Sequence, residues 1–172
     1  MADFLPAYEA MIVDEGGYNL RTIEGDRGGM TYAGIARKFN PEWEGWAYID
    51  RGNTPPTEMV REWYRVNYWI PIWGDQISSQ KVAASLFNFA VNTSAPGRPA
   101  LAIKLAQLVV GATPDGSLGP RTLAALNACN EDVFVMAYAL AKIARYRDIV
   151  TRDRSQQKFL LGWINRSLQG VV

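Results

Sequence analysis

The 172-residue chain contains no histidine and only one cysteine, Cys129. Without histidine, this chain cannot form a Ser–His–Asp triad, a Cys–His dyad, or a histidine-ligated zinc or haem site. One cysteine allows neither an intrachain disulfide nor a thiolate-bound metal cluster. Acid–base chemistry must therefore rely on carboxylates, of which there are 17, and no metal or cofactor is implied.

The chain also lacks a strong overall charge and long hydrophobic runs. Its 18 basic and 17 acidic side chains leave a net charge of +1, which offers no bulk attraction to nucleic acid. No window approaches the roughly 18 apolar residues of a membrane span, and the first residues lack the features of a signal peptide. We expect a monomer made in the cytoplasm, with no stable membrane insertion and no nucleic-acid partner.

Apolar residues recur with helical spacing through most of the chain, which predicts a mainly α single domain. Helices are predicted at about residues 3–14, 32–39, 57–68, 79–93, 99–110, 120–128 and 155–168. Asn130 is predicted to cap a further long helix with the apolar stripe Val133, Met136, Ala137, Leu140 and Ala144. Residues 16–31 are predicted to form a glycine-rich loop or a short β-ribbon.

Glu15 is predicted to lie where the first helix ends, directly before Gly16 and Gly17. The partial negative charge of a helix carboxyl end and the neighbouring Asp14 both favour a raised pKa for the Glu15 carboxyl group. A carboxyl group with a raised pKa suits a general acid. The alternative is an exposed glutamate at a frayed helix end with a glycine C-cap.

Residues 24–35 combine four glycines with two carboxylates, Glu24 and Asp26. Such a loop can place a carboxylate and the Thr31 hydroxyl group opposite Glu15. A carboxylate pair across a cleft is the usual arrangement for hydrolysis of a glycosidic bond. The alternative is a structural turn in which Thr31 caps the following helix.

The predicted helix over 79–93 is apolar on nearly every side, which is typical of a buried helix. Its narrow polar stripe consists of Ser85, Asn88 and Asn92. Because buried amides need partners, the asparagines either bond to neighbouring backbone or line the floor of a cleft. Residues 43–73 hold eight Trp and Tyr side chains, most of them expected in the core and one to three on a glycan groove.

Several motifs, in order, resemble glycoside hydrolase family 108, the phage and prophage N-acetylmuramidases related in layout to phage-type lysozymes. The first segments are Glu15-Gly16-Gly17-Tyr18 and Asp26-x-Gly28-Gly29-x-Thr31-x-x-Gly34-Ile35. Further matches are Tyr68-Trp69, Leu86–Asn92, the peptidoglycan-binding signature Asp115–Thr122, and the closing motif Phe159–Arg166.

This resemblance implies a two-lobed, lysozyme-like helical fold, with a catalytic lobe over residues 1–75 and a peptidoglycan-binding lobe over 76–172. It implies hydrolysis of the β-1,4 bond between N-acetylmuramic acid and N-acetylglucosamine in bacterial peptidoglycan. Glu15 would be the acid, Asp26 the stabilising carboxylate and Thr31 its assistant. The substrate-binding residues implied are Tyr18, Tyr68, Trp69, Asn88 and Asn92.

The sequence departs from the family pattern before Asp26, where an Asn-Asp-Pro-like string is usual and residues 19–25 differ, so Glu24 remains a second candidate. Asn88 replaces a residue that is often acidic. The resemblance and the absence of signal-peptide features agree with a phage endolysin that reaches the cell wall in the periplasm after holin-type or other release, and a secreted effector would show the same features. A non-catalytic peptidoglycan-binding or secretion-associated protein and a lytic transglycosylase remain alternatives.

Overall fold

The computed structural model describes residues 1–22 and 29–171. This part of the chain contains eight α-helices and a small three-stranded sheet, which confirms the mainly α prediction. The helices are α1 Phe4–Asp14, α2 Trp46–Ile49, α3 Thr57–Tyr64, α4 Gln80–Thr93, α5 Ala100–Val109, α6 Pro120–Ala128, α7 Glu131–Arg152 and α8 Leu160–Leu168. The strands are β1 Leu20–Thr22, β2 Met30–Tyr32 and β3 Ile35–Ala36.

The sheet is antiparallel in the order β1-β2-β3, so the β-ribbon predicted after the first helix is present. Tyr32 pairs with Ile35 across a two-residue turn in which Ala33 and Gly34 have φ values of 47° and 79°. Two successive positive φ values are typical of a tight hairpin turn. The helix predicted over 32–39 is therefore wrong, because Gly34 favours the turn and pairing satisfies the backbone groups. Thr31 lies inside β2 and does not cap a helix.

The helix predicted over 57–68 is observed in two parts, with α3 passing into a π-helical turn at Arg65–Trp69. Short 3₁₀ turns follow at Ile70–Ile72 and Gly74–Gln76. Pro56 occupies the cap position expected for Thr57, which instead begins the helix.

Helix α4 forms the centre of the molecule and contacts α1, α5 and α7. Its predicted bounds are confirmed, and Ser79 caps it by accepting a hydrogen bond from the N–H of Val82 at 3.3 Å. Asn130 caps α7 as predicted, accepting from the N–H groups of Asp132 and Val133. The segment predicted as a final helix over 155–168 begins as a 3₁₀ turn at Arg154–Phe159 and becomes α8.

The apolar stripe predicted for α7 is on the wrong face of the helix. Val133 and Leu140 are 58% and 68% exposed, whereas Phe134, Tyr138 and Tyr146 are buried. The aromatic side chains have more apolar area to remove from water, and they determine which face packs inward.

One hydrophobic core runs through the molecule. It includes Tyr8 and Trp69 from the N-terminal part together with Leu86 and Tyr138 from the C-terminal part. The core thus contains residues from both predicted lobes. The division into lobes at residues 75 and 76 stays a prediction. Among the described residues, no helix combines the length and apolar character needed to cross a bilayer.

Candidate active site

Glu15 occupies the carboxyl end of α1, at the point where the chain leaves the helix. Its N–H group donates to the carbonyl of Met11 at 3.1 Å, and Gly17 donates to the carbonyl of Ile12 at 2.8 Å. Gly16 and Gly17 have φ values of 85° and 74°, which side chains other than glycine rarely adopt. The paired glycines thus end the helix as predicted and leave the half-buried Glu15 side chain at its end.

The hairpin turn between β2 and β3 lies against the Glu15 carboxyl group. The Tyr64 hydroxyl donates to the carbonyl of Ala33 at 2.9 Å, which fixes the turn on α3. A Cβ atom at Gly34 would lie 3.1 Å from Glu15 Oε2 and would collide with the Tyr64 hydroxyl. Glycine at position 34 therefore allows the backbone to approach both groups.

Four tyrosines form a wall beside Glu15: Tyr8, Tyr18, Tyr64 and Tyr68. The hydroxyl groups of Tyr8 and Tyr18 lie 2.9 Å apart in a hydrogen bond. The Tyr64 ring lies 5.8 Å from the Tyr8 ring and 5.9 Å from the Tyr68 ring, between centroids. Burial raises the pKa of Tyr68 to about 12, and the nearby Glu15 carboxylate adds to this shift.

Burial in this environment is the main cause of a raised pKa for the Glu15 carboxyl group. The positive charge of Arg166 opposes that shift, and the negative charge of Asp14 adds to it. The direction agrees with the sequence-based expectation, in which Asp14 was one of two causes. Removal of the carboxylate from water favours its neutral form, so Glu15 can hold a proton for transfer.

A polar network connects α1 with the C-terminal helix through α4. Asn88 donates from Nδ2 to Asp14 Oδ2 at 3.0 Å, and Gln169 donates to Asp14 Oδ1 at 3.1 Å. Asn92 donates to both the backbone carbonyl and Oδ1 of Asn88, while its own Oδ1 accepts from Arg166. The network holds the residue next to Glu15 and places a cation within electrostatic reach of the acid.

The structure separates the predicted site residues into groups with different surroundings. The Asn92 side chain donates to neighbouring backbone, as one alternative predicted, whereas the Asn88 side chain bonds only to the side chains of Asp14 and Asn92. Contact of either residue with substrate stays a prediction. Tyr18 is half-buried, whereas Tyr68 is 5% exposed and donates to the carbonyl of Ser94 at 3.4 Å.

Trp69 is a core residue, not a surface for substrate. Its side chain has no exposed area, its ring packs on Phe4 and Phe87, and its Nε1 donates to Asp75 at 2.7 Å. Thr31 is half-buried in β2. Asp26 and Glu24 lie outside the residues that the structure describes.

A cleft of about 740 Å³ has neither Glu15 nor any of the four tyrosines in its lining. Trp63 lines it and packs edge-on against Tyr64, with ring centroids 4.9 Å apart. Phe39 and Trp43 also line the cleft, together with the glutamates at positions 42, 44, 58 and 62. Rings and hydrogen-bond acceptors along one cleft are suited to the apolar faces and hydroxyl groups of sugars.

Sequence reasoning missed Gly34, Tyr64 and Arg166 as parts of the site. Arg166 was visible only as the last residue of the closing motif, and Tyr64 only as one of many aromatics. Their roles depend on contacts with residues far away in the chain, which local spacing does not reveal.

Comparison with known proteins gives two family matches. Residues 8–93 match the family model described as "Glycosyl hydrolase 108", and residues 101–168 match the model "Predicted Peptidoglycan domain". No curated protein matches the chain significantly. Twelve chains of solved structures do match. One of them, "Structure of Brucella abortus SagA", has a TM-score of 0.66 and 24% identity, covering 98% of this chain and 95% of that one. This likeness confirms the fold.

Proposed function

The chain belongs to the glycosyl hydrolase 108 family and is a peptidoglycan hydrolase, and we propose that it cleaves the β-1,4 bond between N-acetylmuramic acid and N-acetylglucosamine. The observation that carries this proposal is the half-buried Glu15 carboxyl group with its raised pKa at the end of α1. A carboxyl group that holds its proton more tightly than usual is what general-acid cleavage of a glycosidic bond requires.

In the proposed reaction, Glu15 transfers its proton to the glycosidic oxygen as the bond from that oxygen to the anomeric carbon breaks. A water molecule supplies hydroxide to the anomeric carbon, and its remaining proton is taken up by a carboxylate. An ionised second carboxylate stabilises the positive charge that develops on the sugar ring. We assign that second role to Asp26 with assistance from Thr31, with Glu24 as the alternative.

The cleft lined by Trp63 and Phe39 is proposed to bind part of the glycan strand. Its rings can stack on pyranose faces, and its glutamates can accept hydrogen bonds from hydroxyl and N-acetyl N–H groups. Tyr18, the most exposed member of the tyrosine wall, is a further proposed contact for the substrate.

Analysis of the reaction products tests the bond and the chemistry together. Purified peptidoglycan is digested, the products are reduced with borohydride and then identified by mass spectrometry. We expect muramic acid at the new reducing ends, which borohydride converts to the alditol. Reduced N-acetylglucosamine ends would refute the bond assignment, and 1,6-anhydromuramic acid ends would indicate a lytic transglycosylase.

We propose a phage endolysin as the biological setting, an assignment supported by the family resemblance. An endolysin made in the cytoplasm needs a membrane lesion to reach its substrate in the periplasm. Induced expression should therefore lyse bacteria only when a holin is co-expressed. Lysis that is equally fast without a holin would contradict this setting.

A further inference from the structure

Lys142 is a buried cation that the proposed reaction does not use. Its side chain in α7 is 6% exposed, and Nζ donates to Ser85 Oγ at 3.1 Å. Nζ also lies 4.6 Å from the ring centroid of Tyr138 and 5.6 Å from that of Phe89. An ammonium group has three donors, and the hydroxyl group accounts for only one of them.

No acidic partner neutralises this ammonium group within residues 1–22 and 29–171. The ion pairs found there involve other cations, including Lys81, which pairs with Glu131 and Asp132. Burial without a carboxylate lowers the pKa of Lys142 to about 8. Buried charges in proteins are normally paired, so packing alone does not explain an unpaired lysine at this position.

Lys142 and Ser85 both line a cavity of about 500 Å³ between α1, α4, α7 and the C-terminal end. Hydrogen-bond donors dominate its polar lining, which also includes Gln80, Asn88, Arg166 and Gln169. The one carboxylate in that lining, Asp14, already accepts from Asn88 and Gln169 through its two oxygens. The cavity therefore offers the cationic donors Lys142 and Arg166, and both oxygens of its one carboxylate are already hydrogen-bonded.

The apolar part of the lining consists of small side chains. The cavity is lined by Ala7 and Ala10 of α1 and by Ala84 of α4, together with Pro6 and Val135. Short side chains of this kind leave space in the cavity and offer methyl surfaces to a ligand. The chemistry that fits the whole cavity is an anion attached to a small apolar unit.

We propose that this cavity binds the terminal carboxylate of an alanine-ended peptide stem of peptidoglycan, with the carboxylate on Lys142 and the alanine methyl groups against Ala7, Ala10 and Ala84. The proposal rests on peptidoglycan being the substrate. Lys142 and Arg166 both lie in the segment that matches the peptidoglycan domain model, residues 101–168. The carboxylate would supply the counter-charge that the described protein lacks.

The test measures binding of a peptide probe to the full ¹⁵N-labelled chain by NMR. The probe is acetyl-D-alanyl-D-alanine, compared with its C-terminal amide and with sodium acetate. We expect shifts at the amides of Ser85 and Lys142, with the uncharged amide binding at least about tenfold more weakly, as loss of a charge-assisted contact implies. Equal binding of acid and amide would overturn the proposal, as would acetate that binds as tightly as the dipeptide.

Lys142→Met provides the matching change in the protein. Methionine keeps the length and apolar contacts of the lysine stem and removes an unpaired buried charge, so the variant should melt at no lower temperature than the unchanged chain. We expect at least about tenfold weaker binding of the dipeptide, while Lys104→Met, at an exposed position, should bind as before. Unchanged binding in Lys142→Met would refute the proposal.

Because the probe contains no sugar, this result does not depend on which glycosidic bond is cleaved. A chain that binds the dipeptide but yields the wrong reducing ends would contradict the proposed function alone. A chain that cleaves the proposed bond but does not bind the dipeptide would contradict the stem site alone.

Discussion

Burial and two charged neighbours set the pKa of the Glu15 carboxyl group, with opposing effects. Burial beside the tyrosine wall raises the pKa of its carboxyl group, Arg166 lowers it and Asp14 raises it. A general acid acts in its protonated form, so activity should fall as the pH rises through the pKa of Glu15. The alkaline limb of the pH–rate profile therefore reports on these neighbours.

Substitutions of the two charged neighbours of Glu15 should move the alkaline limb of the pH–rate profile in opposite directions. Arg166→Gln removes a charge that lowers the pKa of Glu15, so the limb of kcat/KM should move to higher pH. Asp14→Asn removes a charge that raises it, so the limb should move to lower pH. Arg154→Gln, at an exposed position, should leave the limb in place. Movement of both variants in the same direction would contradict the electrostatic explanation.

Substitution of Gly34 tests whether the hairpin turn must lie close to Glu15. Gly34→Ala introduces both a positive-φ strain of about 1–3 kcal/mol and a collision worth about 1–3 kcal/mol more. Gly111→Ala has a similar φ of 70° but open space around the new methyl group, so it should show the strain alone. Thermal melts and lysis rates of both variants provide the measurement. Equal stability losses would mean that the turn can move away from Glu15 and Tyr64.

At the scale of elements, most helix bounds could be predicted because their signals are local. Ser79 and Asn130 cap helices by side-chain bonds to the next turn, and Pro120 begins α6. The β2–β3 hairpin could not be predicted in the same way, since its short strands depend on pairing with each other and, for β2, with β1. A helical spacing of apolar residues in so short a segment does not distinguish it from a hairpin.

Helix α7 shows why an apolar pattern can indicate the wrong face. Lys142 interrupts the buried row of Phe134, Tyr138 and Tyr146, so that row looks less apolar in the sequence than the exposed one. Phe134→Ala should therefore destabilise the protein by about 3–5 kcal/mol, whereas Leu140→Ala should change stability by about 0.5 kcal/mol or less. Chemical denaturation measures both. A larger loss for Leu140→Ala would place the packed face where the sequence pattern predicted it.

At the scale of the whole molecule, a single core crosses the predicted lobe boundary, and α4 contacts helices from both sides of it. Such a chain should unfold in one cooperative transition. Circular dichroism and tryptophan fluorescence should give the same midpoint in urea. Two separated transitions would mean that the lobes are independently stable.

The active site itself could be predicted only in part. Glu15 could be predicted from the two glycines that follow it and from the family resemblance. Both signals are local, because the acid and the end of its helix are adjacent in the sequence. The hydrogen bonds that Asp14 accepts from Asn88 and Gln169 join residues far apart in the chain, and no local pattern predicts them. The exclusion of Trp69 from the surface likewise follows only from the assembled core.

Glu15→Gln tests the central claim most directly. The measurement is the rate of reducing-end release from purified peptidoglycan, with a thermal melt of each variant. Because glutamine cannot donate a carboxyl proton, the rate should fall about 10²–10⁴-fold while stability stays within about 1 kcal/mol. Glu9→Gln, an exposed glutamate on the same helix, should keep the full rate. A folded Glu15→Gln protein that retains more than about a tenth of the rate would contradict the assignment of Glu15 as the acid.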